Sequence, residues 1–456
     1  MKFIADACHA EISNGAGALI VNNVSTDSRS AKAGDVFFAI QGEKFDGHKF
    51  INEVAAKGVV AVVVDKNKIP APLPTCAVLV VADVRLALGR LAATYRKDFA
   101  LPIVVVGGSN GKTTTKELLA SILRQKFPTL WSEASFNNDI GVPMTLLRLE
   151  KTHQAAVLET GTNHPGELAP LVEMIQPQFG IMTNIGREHL EFFGDVAGVA
   201  QEEGRLAERL PADGKLFIGG DNAWTEKIAA RTKAAIVRVG LGEKNDWRAG
   251  KIRLDKSGGT FQVAAPAAEL SGEYRINLLG RHQVTNALLA MAVGAELGLS
   301  RAEIQRGLSE NKPVKMRLQF WEANGVRVLD DAYNANADSM IAALETLCDL
   351  PLQGRRVAIL GDMAELGAHS AAAHAEVGKR AGELGIGQLF AVGKMAAVTA
   401  QAARAAGLTR VIEFADVEMA VTAVRKFLKT GDVVLLKASR SSRLERIADT
   451  LKADKY

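Results

Sequence analysis

Ile103-Val104-Val105-Val106-Gly107-Gly108-Ser109-Asn110-Gly111-Lys112-Thr113 joins an unbroken apolar run to a glycine-rich turn that closes on Lys-Thr. β-Branched residues in succession, with no polar alternation, suit a parallel strand covered on both faces. Behind the turn, Thr114–Arg124 reads as a helix. Strand, glycine turn and helix in that order turn a short pattern into a phosphate site. Glycines let backbone N–H groups converge on phosphate oxygens, and the helix N-terminus adds a favourable dipole. Gly108, Ser109, Asn110, Gly111, Lys112, Thr113 and Thr114 are therefore the candidate nucleotide contacts. Lys112 is expected to bridge the β- and γ-phosphates of a nucleoside triphosphate, and the Thr113 hydroxyl to ligate Mg²⁺. The spacing is shorter than GxxxxGK[ST], because Val106 occupies the first glycine position. Taken alone, the loop serves an ATPase, a kinase, a GTPase switch or a ligase.

Further along, Ala155-Ala156-Val157-Leu158 and Gly180-Ile181-Met182-Thr183 repeat the strand pattern with helical stretches between. This is the alternation of a doubly wound, mostly parallel sheet. From Trp247 to Leu279, short alternating segments broken at Ser257-Gly258-Gly259 predict a small antiparallel addition. A helix is expected from His282 to Leu297, stopping at Gly298. Residues 101–312 thus form the expected central ATP-binding domain. Upstream, residues 1–100 read as a small α/β domain, with strands at Val59–Asp65 and Ala77–Val81 and helices near Ile51–Lys57 and Val84–Arg96. Downstream, residues 313–456 read as a Rossmann-like α/β domain. Its strands are Val326–Asp330, Val357–Leu360, Leu389–Val392 and Val433–Leu436, separated by Ala-rich helical stretches. The expected fold class is α/β in three domains.

Composition narrows the function classes. With 48% hydrophobic and 23% charged residues, the chain of 456 residues is neither disordered nor fibrous. No apolar run approaches the ~18 residues that a membrane helix needs. The start, Met1-Lys2-Phe3-Ile4-Ala5-Asp6-Ala7, lacks the sustained apolar core of a signal peptide. Cys8, Cys76 and Cys348 lie far apart, which argues against a disulfide framework or zinc site and fits a reducing compartment. A cytoplasmic monomer without membrane insertion is expected. The net charge of +4 is small and unclustered, so no nucleic-acid partner is expected.

With the loop as anchor, motifs along nearly the whole chain resemble the Mur ligases, ATP-dependent amide-forming enzymes of bacterial cell-wall synthesis that share the shortened GxxGK[ST] loop. That family usually carries threonine where Gly107 stands. Thr26-Asp27-Ser28-Arg29 and Gly42-Glu43-Lys44-Phe45-Asp46-Gly47-His48 resemble its uridine-nucleotide-binding segments. This implies substrate contacts at Ser28, Arg29, Asp46, Gly47 and His48. Asn138, in Asn137–Pro143, resembles the loop beyond the ATP site. Glu159 matches the family's Mg²⁺-holding glutamate, and His189 the histidine near a second metal. His282 and Asn286 resemble adenine-side contacts. Arg317 and Asp331 resemble the closing contacts on ATP; Tyr333, Asn334, Asn336, Lys437, Ser439 and Arg440 resemble those on the amine substrate. Singly, several admit plainer readings. Glu159 could cap a helix, His189 could be a hydrogen-bonded histidine, and Asp46-Gly47-His48 could be an ordinary turn. Asp331-Ala332-Tyr333-Asn334-Ala335-Asn336 and Gly361-Asp362-Met363-Ala364-Glu365-Leu366-Gly367 resemble the family member whose amine substrate is D-alanyl-D-alanine. The resemblance implies UDP-N-acetylmuramoyl-tripeptide as its other substrate, with an acyl phosphate between.

One departure stands out. Mur ligases usually present a carbamylated lysine after the His189 region, yet no lysine lies between Arg187 and Lys215. Glu203, in Ala200-Gln201-Glu202-Glu203-Gly204, stands in the corresponding stretch. A carboxylate is a hard oxygen ligand suited to Mg²⁺, so Glu203 is expected to replace the carbamate. The plainer reading is a solvent-facing acid on a charged helix.

Overall fold

The computed structural model describes residues 1–14, 19–42, 45–351 and 353–453. They carry three sheets, of five, nine and six strands. The chain divides into two compact units. One is Met1–Val105 with Pro128–Gly161 and Ala169–Pro177; the other is Val106–Phe127 with Thr162–Leu168 and Gln178–Tyr456. Among the described residues, no helix is long and apolar enough to cross a membrane.

In the first unit, β1 (Glu11–Asn14), β2 (Val24–Ser25), β3 (Val36–Phe38), β4 (Ala61–Asp65) and β5 (Ala77–Val81) form a sheet in the order β1-β5-β4-β3-β2. Only β1 runs antiparallel to its neighbour. Alternate residues point to opposite faces. Val36, Phe38, Val63 and Leu79 pack with Val84, Leu88 and Leu91 of the helix Val84–Arg96. Phe37, Val62, Val64 and Val78 pack with Ile51 and Val54 of the helix Ile51–Ala56. Both faces are dry, hence the continuous apolar runs, and each such Val or Leu contributes roughly 1.5–3 kcal/mol. The strand expected from Val59 begins at Ala61, because Gly58 (φ 86°) and the Val59 N–H, bonded to the Val54 carbonyl, still belong to the helix end. This unit also holds the first residues of β6 (Ile103–Gly107), together with β7 (Thr129–Trp131) and β8 (Ala155–Glu159), which pair in parallel.

In the second unit, the end of β6 is followed across the sheet by β9 (Phe179–Met182), β10 (Lys215–Gly219), β11 (Ala235–Gly240), β12 (Trp247–Asp255), β13 (Gly258–Ala264) and β14 (Gly272–Ile276). β9 to β12 are parallel, and β12-β13-β14 form the expected antiparallel addition. Its turn falls at Lys256-Ser257, however, and both glycines lie inside β13. Gly258 has φ 145°, and a Cβ there would collide with the Ile276 carbonyl. It serves close strand approach rather than chain reversal.

The third sheet comprises β15 (Gln319–Ala323), β16 (Val326–Asp331), β17 (Arg356–Leu360), β18 (Gln388–Val392), β19 (Val411–Phe414) and β20 (Val433–Lys437), in the order β15-β16-β20-β17-β18-β19. All pairs but β15–β16 are parallel. Val328, Ile359, Phe390 and Leu436 pack on Val424, Ile447 and Leu451 from the helices Val417–Phe427 and Glu445–Ala453.

Candidate active site

β6 ends at Gly107, and the chain turns through Gly108 (φ 108°) and Gly111 (φ 86°) into the helix Lys112–Leu123. That helix starts two residues before the expected Thr114, which puts Lys112 and Thr113 in its first turn. A Cβ at Gly111 would collide with Asn286 Oδ1, and one at Gly108 with Thr183 Oγ1. Both positions therefore demand glycine on space as well as on φ. The loop is clamped to the turn after β9. Ser109 N–H donates to the Asn184 carbonyl at 2.8 Å, Gly186 N–H to Ser109 Oγ at 2.9 Å, and Asn110 N–H to Asn184 Oδ1 at 3.1 Å. Ser109, Thr113 and Thr114 are buried.

Lys112 folds back on its own loop. Its Nζ donates to the Gly108 and Ser109 carbonyls and lies 3.3 Å from Glu188 Oε2. Glu203, at the end of the helix Val196–Glu203, is fully buried and accepts from Gly108 N–H at 2.7 Å. It is no solvent-facing acid. Burial pushes the Glu203 carboxyl up to about 7 against the pull of Lys112, and the nearby Glu188 adds to the rise. Glu203 Oε1 and Glu188 Oε1 are buried without a hydrogen-bond partner, an arrangement costly unless a cation meets them. Hard carboxylate oxygens beside a phosphate loop fit Mg²⁺, which typically takes one or two protein carboxylates and completes its shell with phosphate oxygens and water. Among the described residues, no group of three His, Cys, Asp or Glu side chains is placed to hold a metal ion.

His189 follows Glu188, with φ 49°. Its Nε2 lies 3.9 Å from Glu188 Oε2, and its Nδ1 lies 2.5 Å from Glu365 Oε2. The imidazole beside Glu365 holds that carboxyl below its ordinary value.

The same unit gathers the C-terminal candidates. Asp331 accepts from Lys437 Nζ at 2.5 Å and from Leu318 N–H at 3.0 Å. Lys437 also donates to the Asn334 carbonyl at 3.1 Å. Ser439 Oγ donates to the Ala335 carbonyl at 3.2 Å and accepts from Ala364 N–H at 2.9 Å. The Arg317 guanidinium lies 4.3 Å over the Tyr333 ring, and Arg440 reaches Met316 Sδ at 3.4 Å. Asn336 caps the helix Ala337–Asp349 and donates from Nδ2 to Asn110 Oδ1 at 2.9 Å. Arg187 ties the two regions together: its Nε and Nη2 donate to Asp338 Oδ1 at 2.8 and 2.6 Å, and Glu376 engages its other edge. His282 is exposed and its ring lies beside Gly280, where the charges of Asp331, Lys437 and Glu345 act on it. Asn286 is buried, touches the loop side at Gly111 and donates to Gln283 Oε1 at 2.8 Å.

In the first unit, Glu159 ends β8 and is buried. Its Oε1 accepts from Asn137 Nδ2 at 3.0 Å, and its N–H donates to Ser132 Oγ at 3.1 Å. Asn138 Oδ1 accepts from the N–H of Gly141, the first residue of the helix Gly141–Leu146, at 2.9 Å. Ser28 is buried, while Arg29 is exposed and forked on Asp27. Asp46 caps the short helix Gly47–Phe50, accepts from Lys68 at 2.6 Å and lies 2.7 Å from His48 Nδ1. His48 Nε2 accepts from Asp65 N–H at 3.1 Å, so these motif residues engage one another. Glu43 and Lys44 lie outside the described residues. Sequence reasoning missed Glu188, Arg187 and Glu365. Only the adjacency of the first two to His189 could have flagged them.

Fold and loop together define a P-loop α/β protein whose C-terminal sheet carries side chains to the phosphate loop. The chain belongs to the Mur ligase family. Three of its profiles match: the Mur ligase family catalytic domain over residues 20–96, the Mur ligase middle domain over 106–294, and the Mur ligase glutamate ligase domain over 316–440. The UDP-N-acetylmuramoyl-tripeptide--D-alanyl-D-alanine ligase of Escherichia coli (strain K12) is 37% identical over 95% of this chain and 94% of its own length. A crystal structure of MurF from Acinetobacter baumannii superposes with a TM-score of 0.90 at 33% identity, covering 99% of this chain and 98% of that one. MurF ligase from Thermotoga maritima in complex with ADP gives 0.83 at 26% identity, covering 96% and 98%.

Proposed function

We propose that the chain is an ATP-dependent amide ligase joining D-alanyl-D-alanine to the terminal carboxylate of UDP-N-acetylmuramoyl-tripeptide. The observation that carries this reading is the 2.9 Å hydrogen bond from Asn336 to Asn110, by which the segment Asp331–Asn336 reaches the phosphate loop. A hydrolytic switch needs only water beside its phosphates; a ligase needs an amine delivered there. The Escherichia coli relative carries this pair of substrates in its name, and the Thermotoga maritima neighbour holds ADP.

Carboxylate is a poor electrophile at neutral pH and must be activated. In the proposed sequence, the tripeptide carboxylate attacks the γ-phosphate, giving an acyl phosphate and ADP. The dipeptide amine then attacks the acyl carbon, and the tetrahedral intermediate collapses with loss of phosphate. Lys112 exchanges Glu188 for phosphate oxygens and, with the loop amides, meets the charge developing on the transferred group. Thr113, His189 and Glu203 would hold Mg²⁺, which would supply charge neutralisation at the phosphates; the resemblance implies a metal role for Glu159 as well. Glu203 takes the place of the family's carbamate. His282 and Asn286 serve the nucleotide from its adenine side, and Arg317 and Asp331 close on it. Tyr333, Asn334, Asn336, Lys437, Ser439 and Arg440 orient the dipeptide. Positioning two anions and an amine while excluding water is the main task, since water would waste the acyl phosphate. Residues 1–100 hold the uridine nucleotide, residues 101–312 hold ATP, and residues 313–456 close with the dipeptide, in a cytoplasmic monomer.

The test is phosphate release from Mg-ATP with UDP-N-acetylmuramoyl-tripeptide and D-alanyl-D-alanine, each omitted in turn, with mass detection of the pentapeptide product. Release that requires both, with product found, is expected. Turnover indifferent to both would remove the ligase reading.

A further inference from the structure

His374 has no part in the mechanism above, yet it is buried and both its ring nitrogens are engaged. It belongs to the helix Ser370–Glu383, which follows β17 and the loop 361–366. Met363 N–H donates to its Nε2 at 3.0 Å, and its Nδ1 lies 2.8 Å from the Ser370 carbonyl. A ring nitrogen that accepts from an amide carries no proton, and one that meets a carbonyl must carry one. The ring is therefore neutral and has one tautomer. Only another acceptor can take its place, because a buried N–H left unpaired is costly.

The loop that His374 holds leads to the C-terminal candidates. Its start is anchored separately: the Asp362 carboxylate accepts from Lys394 and Met395 N–H at 2.9 and 3.0 Å. Its middle is set at Met363 by His374. The next amide, Ala364 N–H, donates to Ser439 Oγ at 2.9 Å, and Ser439 Oγ donates in turn to the Ala335 carbonyl at 3.2 Å. A hydroxyl has one proton, so the amide arriving from the loop takes a lone pair and leaves that proton committed to Ala335. Ala335 lies between Asn334 and Asn336, in the turn that also carries Tyr333. We propose that His374 is a positioning residue for the dipeptide: by holding Met363 it sets Ala364 against Ser439, and through Ser439 it fixes the turn 333–336. The inference rests on the assignment of that turn to D-alanyl-D-alanine.

The experiment measures KM for D-alanyl-D-alanine and for UDP-N-acetylmuramoyl-tripeptide in the full chain, with thermal melting of every variant. His374→Leu fills the space of the ring but offers no acceptor. It should raise the dipeptide KM about tenfold, on the order of one buried hydrogen bond, and leave the tripeptide KM unchanged. His374→Gln, whose amide oxygen reaches the place of Nε2, should keep the wild-type dipeptide KM. His374→Asn is polar but too short to reach Met363; it should behave as the leucine variant does, and it carries the test if leucine prevents folding. In a Ser439→Ala background, His374→Leu should add no further rise, and additive rises would overturn the relay. If His374→Leu and His374→Asn melt lower but keep the wild-type dipeptide KM, or raise both KM values alike, His374 is structural only and the proposal is overturned while the ligase reading survives. If wild type turns over without D-alanyl-D-alanine, that reading falls and the proposal falls with it.

Discussion

The Gly108 N–H donates to Glu203 Oε2 across 2.7 Å, so one amide of the phosphate loop is already bound to a carboxylate of the chain itself. Lys112 and Glu188 complete the cluster. The loop is thus built around an internal anion, and its behaviour should follow the protonation and removal of that anion.

Burial pushes the Glu203 carboxyl up from its ordinary value of 4.5 to about 7 in the folded protein. The folded state therefore keeps a proton that the unfolded chain releases. The stability from this group is full below pH 4.5 and is lost as pH rises to about 7. Urea denaturation of the nucleotide-free protein across that window should show wild type losing stability relative to Glu203→Gln. Identical pH slopes for the two proteins would contradict the assignment.

If Glu203 replaces a carbamate, turnover should be the same in CO₂-free and bicarbonate-supplemented buffers. Glu203→Ala should lose Mg²⁺-supported turnover by tenfold or more, on the order expected for metal-site support. An unchanged Mg²⁺ titration in that variant would sink the replacement.

Gly111→Ala introduces a Cβ against Asn286 Oδ1 at φ 86°. The left-handed backbone alone costs about 1–2 kcal/mol, and Asn286 must move as well. ADP affinity should fall at least tenfold, with melting lowered by only a few degrees, on the order of ~1–2 kcal/mol. Wild-type affinity in this variant would mean that the loop does not bind the phosphates.

Arg187 joins the turn after β9 to Asp338 and Glu376. These partners are each more than a third exposed, so Arg187→Ala should cost under about 1 kcal/mol of stability. Its larger effect should be a severalfold rise in KM for ATP. Combined with Asp338→Ala, the effects on KM should be less than additive; full additivity would show that the pair does not act together.

Asn336 both caps its helix and reaches Asn110. Asn336→Ser keeps a capping hydroxyl but is too short to reach Asn110, which separates the two roles. A double-variant cycle with Asn110→Ala on kcat/KM should give a coupling of about 1 kcal/mol. Zero coupling would leave the hydrogen bond without a part in turnover.

β6, β8 and β20 were legible because their apolar runs are uninterrupted, whereas β3 and β10, equally buried, were not read as strands. β11, with Arg238 inside it, and the half-exposed edge strands β15 and β19 carry mixed residues and were not read. β2 and β7 are too short to stand out. The phosphate loop was legible because its chemistry is contiguous in sequence. Glu203 was found as a departure from a known pattern, although its burial could not be read. Glu365 was quoted only as part of a motif: its tie to His189 joins segments far apart in the chain, and a single sequence records no such pairing.

The named contacts that bind residues 187–194 to the C-terminal segments are ion pairs and hydrogen bonds: Arg187 with Asp338 and Glu376, His189 and the Glu191 N–H with Glu365, and the Gly194 carbonyl with His369. On the ribosome, the phosphate loop and its neighbouring strands emerge before β15 to β20 exist. Until the C-terminal segments arrive, these groups can be solvated by water, whereas an apolar seam could not. The part made first can therefore wait for the rest without this surface recruiting other nascent chains.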